Sequence, residues 1–148
     1  MAPLAPGGRL DVDGSSLELM ERIAAFIAQN HSSPLRVSDV ARRFHVSVRT
    51  LQNLFHASCG ESPLRALRRY RLVCLHTQLT ARPWQSLRQA YDGCGLSGSR
   101  ADRELFREMY GISIREHQQA CCDKRALAPV PPIAHTTLLT YLDSALSA

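Results

Sequence analysis

The 148-residue sequence predicts an all-α protein, and two kinds of signal carry that prediction. Apolar residues recur three and four positions apart, the spacing that lays a single stripe along an α-helix. Between the stripes stand helix start and stop residues: Ser47 before one stripe, Gly60 after it, and Ser62-Pro63 before the next.

Residues 1–16, MAPLAPGGRLDVDGSS, are rich in Pro, Gly and Asp and read as a flexible lead-in to a helical body over residues 17–120. Leu17, Met20, Ile23, Ala24 and Ile27 form the stripe of a first helix that ends near Asn30. A short helix follows in SDVARRFHVS, opened by Ser38 or by one of residues 35–37 before it, with Val40, Ala41 and Phe44 on one face. Ala41 is small where two helices must cross closely, and Val46 plugs the turn that follows. His45 falls where the chain needs a left-handed residue, a place usually given to Gly.

Ser47 caps the next helix by accepting from an orphan amide two or three residues on. Leu51, Leu54 and Phe55 face its core, which leaves Val48, Arg49, Gln52, Asn53 and His56 on the opposite side. Two helices joined by a turn of three or four residues form a helix-turn-helix, whose second helix lies in the DNA major groove. Arg, Gln and Asn carry the forked donors and acceptors that match base edges there. Val48, Arg49, Gln52, Asn53 and His56 are therefore the base-contact candidates. The first unit occupies about residues 36–60, and a linker helix runs from about 63 to 79 with Leu64, Leu67, Val73, Cys74 and Leu75 as its buried candidates.

Arg49, Leu51, Gln52, Phe55, Gly60, Ser62 and Pro63 fit the pattern R-x-L-x-x-x-F-x-x-x-x-G-x-S-P, with Arg71-Leu72 following eight residues after the Pro. The chain thereby resembles the DNA-binding region of the AraC/XylS family of bacterial transcription regulators, from about Leu17 to Gln119. The resemblance implies about seven helices in two helix-turn-helix units joined by one long linker helix. It places a second unit at about 86–111, with Ser86 and Leu87 opening it and Cys94-Gly95-Leu96 at its turn. Phe106, Arg107, Tyr110, Gly111 and Ser113 mark its end.

Five positions depart from the family pattern. Ala90 and Tyr91 stand where an aliphatic and then a small residue are usual, Asp102 where an aromatic is, Glu104 where Arg is common and Ile114 where Pro is. A Tyr at a close crossing and a carboxylate at a core position conflict with tight packing. Either the second recognition helix is rotated so that Arg100, Arg103 and Arg107 form its outward row, or this half binds DNA weakly. Arg100 and Arg103 are the base candidates here. Arg68, Arg69 and Arg107, lying off the helix N-termini, are assigned to phosphate. Ser38, Ser47 and Ser86 are capping residues first; the amides at the N-termini that Ser38 and Ser47 open are also phosphate candidates. Arg71 is expected to brace the linker helix against a carboxylate.

Charge agrees with a polyanionic partner. The chain carries a formal +5, and residues 36–71 hold eight arginines against Asp39 and Glu61. Lys124 is the lone lysine, and high-GC coding bias explains that preference as well as function does. The five cysteines (59, 74, 94, 121 and 122) include no C-x-x-C pair, and no His spacing completes a zinc site. Cys59 and Cys74 are expected in the core, and the vicinal pair Cys121-Cys122 is the one to test for reactivity. No G-x-S-x-G, H-E-x-x-H or Gly-rich phosphate loop is present, and the six histidines are scattered, so no catalytic residue, cofactor or metal is expected. No apolar run is long enough for a membrane span, and the chain is expected to be cytoplasmic.

After Pro129, Pro131 and Pro132 the tail 121–148 carries the mildly amphipathic TTLLTYLDSAL, a packing helix, a partner-binding helix or disorder. The expected function is a sequence-specific DNA-binding transcription regulator, stand-alone or the C-terminal part of something longer. Its expected partner is promoter DNA, with RNA polymerase as a further candidate and no small-molecule effector within this chain. The alternative is a protein-interaction module, a degenerate relative that docks on another regulator without its own operator.

Overall fold

The computed structural model describes residues 14–123, which form seven α-helices and, among these residues, no strand. They are α1 (Gly14–Asn30), α2 (Val37–Arg43), α3 (Val48–Cys59), α4 (Pro63–Ala81), α5 (Leu87–Cys94), α6 (Arg100–Tyr110) and α7 (Ile114–Cys122). The lead-in up to residue 13 and the Pro-containing part of the tail lie outside the described residues.

Local chemistry sets the helix ends. Ser47, Ser62, Ser86, Ser99 and Ser113 each accept at Oγ from the backbone N–H three residues on, capping α3, α4, α5, α6 and α7 in turn. Pro63 follows as the first residue of α4, where the missing N–H costs nothing. α2 corrects the expectation for Ser38. Its N-cap is Arg36, whose backbone N–H is held by the Asp39 carboxylate at 3.0 Å, and Ser38 sits exposed inside the first turn.

The helices enclose two cores. Met20, Ile23, Ala24 and Ile27 of α1 meet Val40 and Ala41 of α2, Leu51, Leu54 and Phe55 of α3, and Ala66 and Leu67 of α4. Leu17 lies one turn before this cluster and is 42% exposed, so the buried stripe of α1 begins at Met20. The second core gathers Leu72, Leu75 and Leu79 of α4 with Ala90, Cys94, Leu96, Leu105, Phe106 and Ile114. α4 thus serves both cores, and its buried stripe follows neither alone. Of its expected buried residues Leu67 and Leu75 are buried, Val73 and Cys74 are half-buried, and Leu64 is 52% exposed. Ile114 fills the second core at the first position of α7, where the helix needs no Pro because that N–H is an orphan in any case.

Candidate nucleic-acid interface

Two turns of the same design present α3 and α6. After α2, the His45 N–H donates to Arg42 O at 3.2 Å and the Val46 N–H to Ala41 O at 3.0 Å. After α5, the Gly95 N–H donates to Asp92 O at 3.3 Å and the Leu96 N–H to Tyr91 O at 2.9 Å. This bond pair is a Schellman motif, which requires a left-handed residue at its hinge. His45 takes that conformation at φ 57° and Gly95 at φ 73°, so the reading of His45 holds. Gly95 is confined for a second reason. A Cβ there would lie 2.3 Å from the His31 carbonyl oxygen, because the second turn packs directly on the loop after α1.

α3 buries Leu51, Leu54 and Phe55, and its other side leaves Val48, Arg49, Gln52, Asn53 and His56 exposed, the division the stripe predicts. Arg49 makes no ion pair with any described residue, so its guanidinium is open to a ligand.

The second unit packs more tightly than its sequence suggests. Gly98, at φ 72°, stands where a Cβ would meet the Tyr91 ring at 2.5 Å, so this glycine makes the room that a small residue at 91 otherwise provides. Asp102 is buried at 4% exposure, yet it is neither unpaired nor in conflict with its site. Ser99 and Asp102 form a reciprocal capping box: the Asp102 N–H donates to Ser99 Oγ and the Ser99 N–H to Asp102 Oδ2, both at 3.2 Å. Arg68 Nε lies 3.2 Å from the other carboxylate oxygen. With Asp102, Leu105 and Phe106 inside, Arg100, Arg103, Glu104 and Arg107 lie on the exposed side of α6.

Several expected phosphate ligands are engaged within the protein. Arg69, only 16% exposed, pairs with Glu61 at 2.8 Å, and Arg68 pairs with Asp102. Each bond is made through Nε, so the paired carboxylate offsets the charge of either arginine and neither is the open cation its position in the sequence suggests. Arg107 stays exposed and sits 3.6 Å from Glu116. Arg71 braces the linker helix as expected but against backbone, donating to His31 O at 2.8 Å and Ser33 O at 3.0 Å rather than to a carboxylate. Arg65 reaches Glu61 and Glu108, and Arg42 reaches Asp39. Of the eight arginines over 36–71, only Arg36, Arg43 and Arg49 lack both a carboxylate and a carbonyl partner among the described residues. Arg43 lies over the Phe26 and Phe44 rings at 5.8 and 6.0 Å.

Sequence reasoning missed a histidine stack in the second core. His76 of α4 stacks on Tyr110 of α6 at 4.2 Å and on His117 of α7 at 4.1 Å. Burial, with His117 alongside, pulls the His76 pKa down to about 4, and burial lowers that of His117 as well. The His117 ring also meets Thr80 Oγ1 at 3.1 Å and Cys121 Sγ at 3.6 Å. Burial pushes the Cys59 thiol up to about 12 and Cys94 to about 11, which keeps both protonated and inert. No group of three or more His, Cys, Asp and Glu among the described residues is placed to hold a metal ion. No described helix is long and apolar enough to cross a membrane.

The model of a helix-turn-helix domain family matches residues 40–120, more than half the chain and both turns described above. The chain belongs to the AraC-type helix-turn-helix family. The crystal structure of a transcriptional regulator from Chromobacterium violaceum, one of the AraC-type DNA-binding domain-containing proteins, has the same fold. It matches with a TM-score of 0.64 at 24% identity, over 74% of this chain and 96% of that one. As a member of the AraC-type family, the protein is a DNA-binding transcription regulator.

Proposed function

We propose that this AraC-type protein binds a specific DNA sequence and regulates transcription from it, with α3 and α6 entering successive major-groove segments on one face of the duplex. The observation that carries the reading is the outward face of α3. It offers forked polar side chains, Arg49, Gln52 and Asn53, with His56 and Val48 beside them, and the ordered turn behind them fixes their presentation. Arg103 and Arg100 occupy the corresponding face of α6. Phosphate contact falls to the amides at the helix N-termini, including the one capped by Ser47, and to exposed arginines such as Arg107. The DNA-binding body is proposed over residues 17–120, within helices that run from Gly14 to Cys122, and the protein works in the cytoplasm on promoter DNA.

The test compares binding to a selected duplex with binding to random duplex. Arg49→Ala and Gln52→Ala should each cost about 1–3 kcal/mol on the preferred site and far less on random DNA. Both positions are exposed, so the helical content of the variants should match the parent. Equal losses on both duplexes would move these residues from base reading to phosphate holding, and a failure to select any sequence would sink the proposal.

A further inference from the structure

We propose that α6 reads a guanine through Arg100, and that Glu104 is the residue that sets this choice. The inference rests on the reading above, in which α6 enters a major groove. Arg100 is the first residue of α6, and recognition helices offer their N-terminal residues to base edges. The rotation of α6 about its axis is set from inside by buried Asp102, Leu105 and Phe106, which places Arg100 and Glu104 together on the open side.

There Arg100 Nε donates to Glu104 Oε1 at 2.8 Å. The bond occupies the inner N–H of the guanidinium and leaves its two Nη groups without a carboxylate among the described residues, a fork of donors open to a ligand. Guanine is the base whose major-groove edge presents two adjacent acceptors, N7 and O6, to such a fork. A long side chain loses rotamer freedom on binding, and an arginine already held by a neighbouring carboxylate loses less. The pair adds little to the fold itself. Both partners are exposed, and a basic residue four positions before an acidic one is the weaker order on a helix.

Charge separates this role from phosphate holding. A lone carboxylate on a DNA-facing helix repels the backbone, whereas the Arg100–Glu104 pair is net neutral and adds little to salt-dependent attraction. The second oxygen of Glu104 accepts hydrogen bonds only, which favours a cytosine amino group beside the guanine and disfavours another acceptor. The second half-site should therefore hold a fixed G·C pair even though this helix carries an acid where relatives commonly carry a base.

The experiment selects bound duplexes from a random pool with the full chain, then measures affinity for each base pair at every second-half position. The parent protein should prefer one G·C pair by roughly 5- to 150-fold over its alternatives. The double variant Arg100→Ala/Glu104→Ala, which leaves net charge unchanged, should lose that preference by a larger factor than it loses affinity for random DNA. Glu104→Gln should reduce the preference several-fold, since a neutral amide holds the guanidinium less firmly. A G·C preference that survives the double variant overturns the proposal, as does a second half-site of random sequence beside a fixed first one. If neither half-site is enriched, it is the sequence-specific function itself that fails, and this inference with it.

Discussion

Asp102 provides the sharpest test of the fold, because the sequence pattern and the structure disagree about it. By the family pattern the site wants an aromatic, so Asp102→Phe would be expected to stabilise. In the structure the carboxylate is buried, accepts from the Ser99 N–H and pairs with Arg68, so removing it should destabilise. Breaking a fully buried pair costs about 3–5 kcal/mol. Arg68 keeps about a third of its side chain in water, at 32% exposure, and can rehydrate, which reduces the cost to about 2 kcal/mol. Loss of one arm of the capping box adds about 0.5–1 kcal/mol. Asp102→Ala should therefore cost about 2–3 kcal/mol, a shift in melting temperature on the order of 10 °C.

The partner substitution makes the test specific. Replacing both members with apolar residues of similar volume, Arg68→Met with Asp102→Leu, removes both desolvation penalties and should be nearly neutral. Urea denaturation of the full chain gives all four corners of the cycle, and a coupling energy of about 1–3 kcal/mol is expected. A coupling near zero, or an Asp102→Phe protein with a raised midpoint, would show that the carboxylate is not held as described.

Two further outcomes follow from the second unit. In the unfolded chain His76 takes up a proton near pH 6.5, while the stacked His76 resists until about pH 4, so stability is complete above about 6.5 and falls as pH drops. Between pH 7.5 and 5 the loss should reach at most about 2 kcal/mol from His76, and His76→Phe should flatten the melting profile; an unchanged profile would refute the stack. Gly95→Ala should cost more than Gly60→Ala, since both pay for a left-handed backbone, about 1–2 kcal/mol, but the new Cβ at 95 also meets the His31 carbonyl while nothing lies within 4 Å at 60. Equal melting temperatures for the two variants would contradict the contact between the second turn and the loop after α1.

What was legible in the sequence was local. Ser47, Gly60, Ser62-Pro63 and the left-handed His45 act on groups within a turn of themselves, and the stripe Leu51, Leu54 and Phe55 repeats within one helix. These signals needed no knowledge of the rest of the chain, and they place the outward row of α3. What was hidden depends on distant partners. Arg68 finds Asp102 thirty-four positions later, and Arg65 finds Glu108 forty-three positions later. From sequence, Arg68 reads as a phosphate contact and Arg65 only as one of the eight arginines over 36–71. Leu64 was misplaced because α4 turns different faces to two cores, so no single period describes it. Tyr91 was judged against its own position alone, whereas its fit depends on Gly98, seven residues on and across the turn.

The arginines of α4 therefore do a different job from the one their number suggests. Arg65 ties α4 to α6 through Glu108, Arg68 ties it to α6 through Asp102, and Arg71 ties it to the carbonyls of His31 and Ser33. The Arg71 guanidinium also lies against Gly95, so the loop after α1, the linker helix and the second turn meet at one point. Arg65 and Arg68 join the linker helix to the second unit and Arg71 joins it to the loop after α1, and the shared apolar stripe of α4 ties it to both cores. On the proposed function, half-site spacing on DNA is then a property of α4. A cation paired with a carboxylate contributes less to counterion release than an open one, so the basic run overstates the charge available to phosphate. On the proposed function, its part in recognition is to hold the exposed side chains Arg49 and Gln52 of α3 and Arg103 of α6 at a fixed separation.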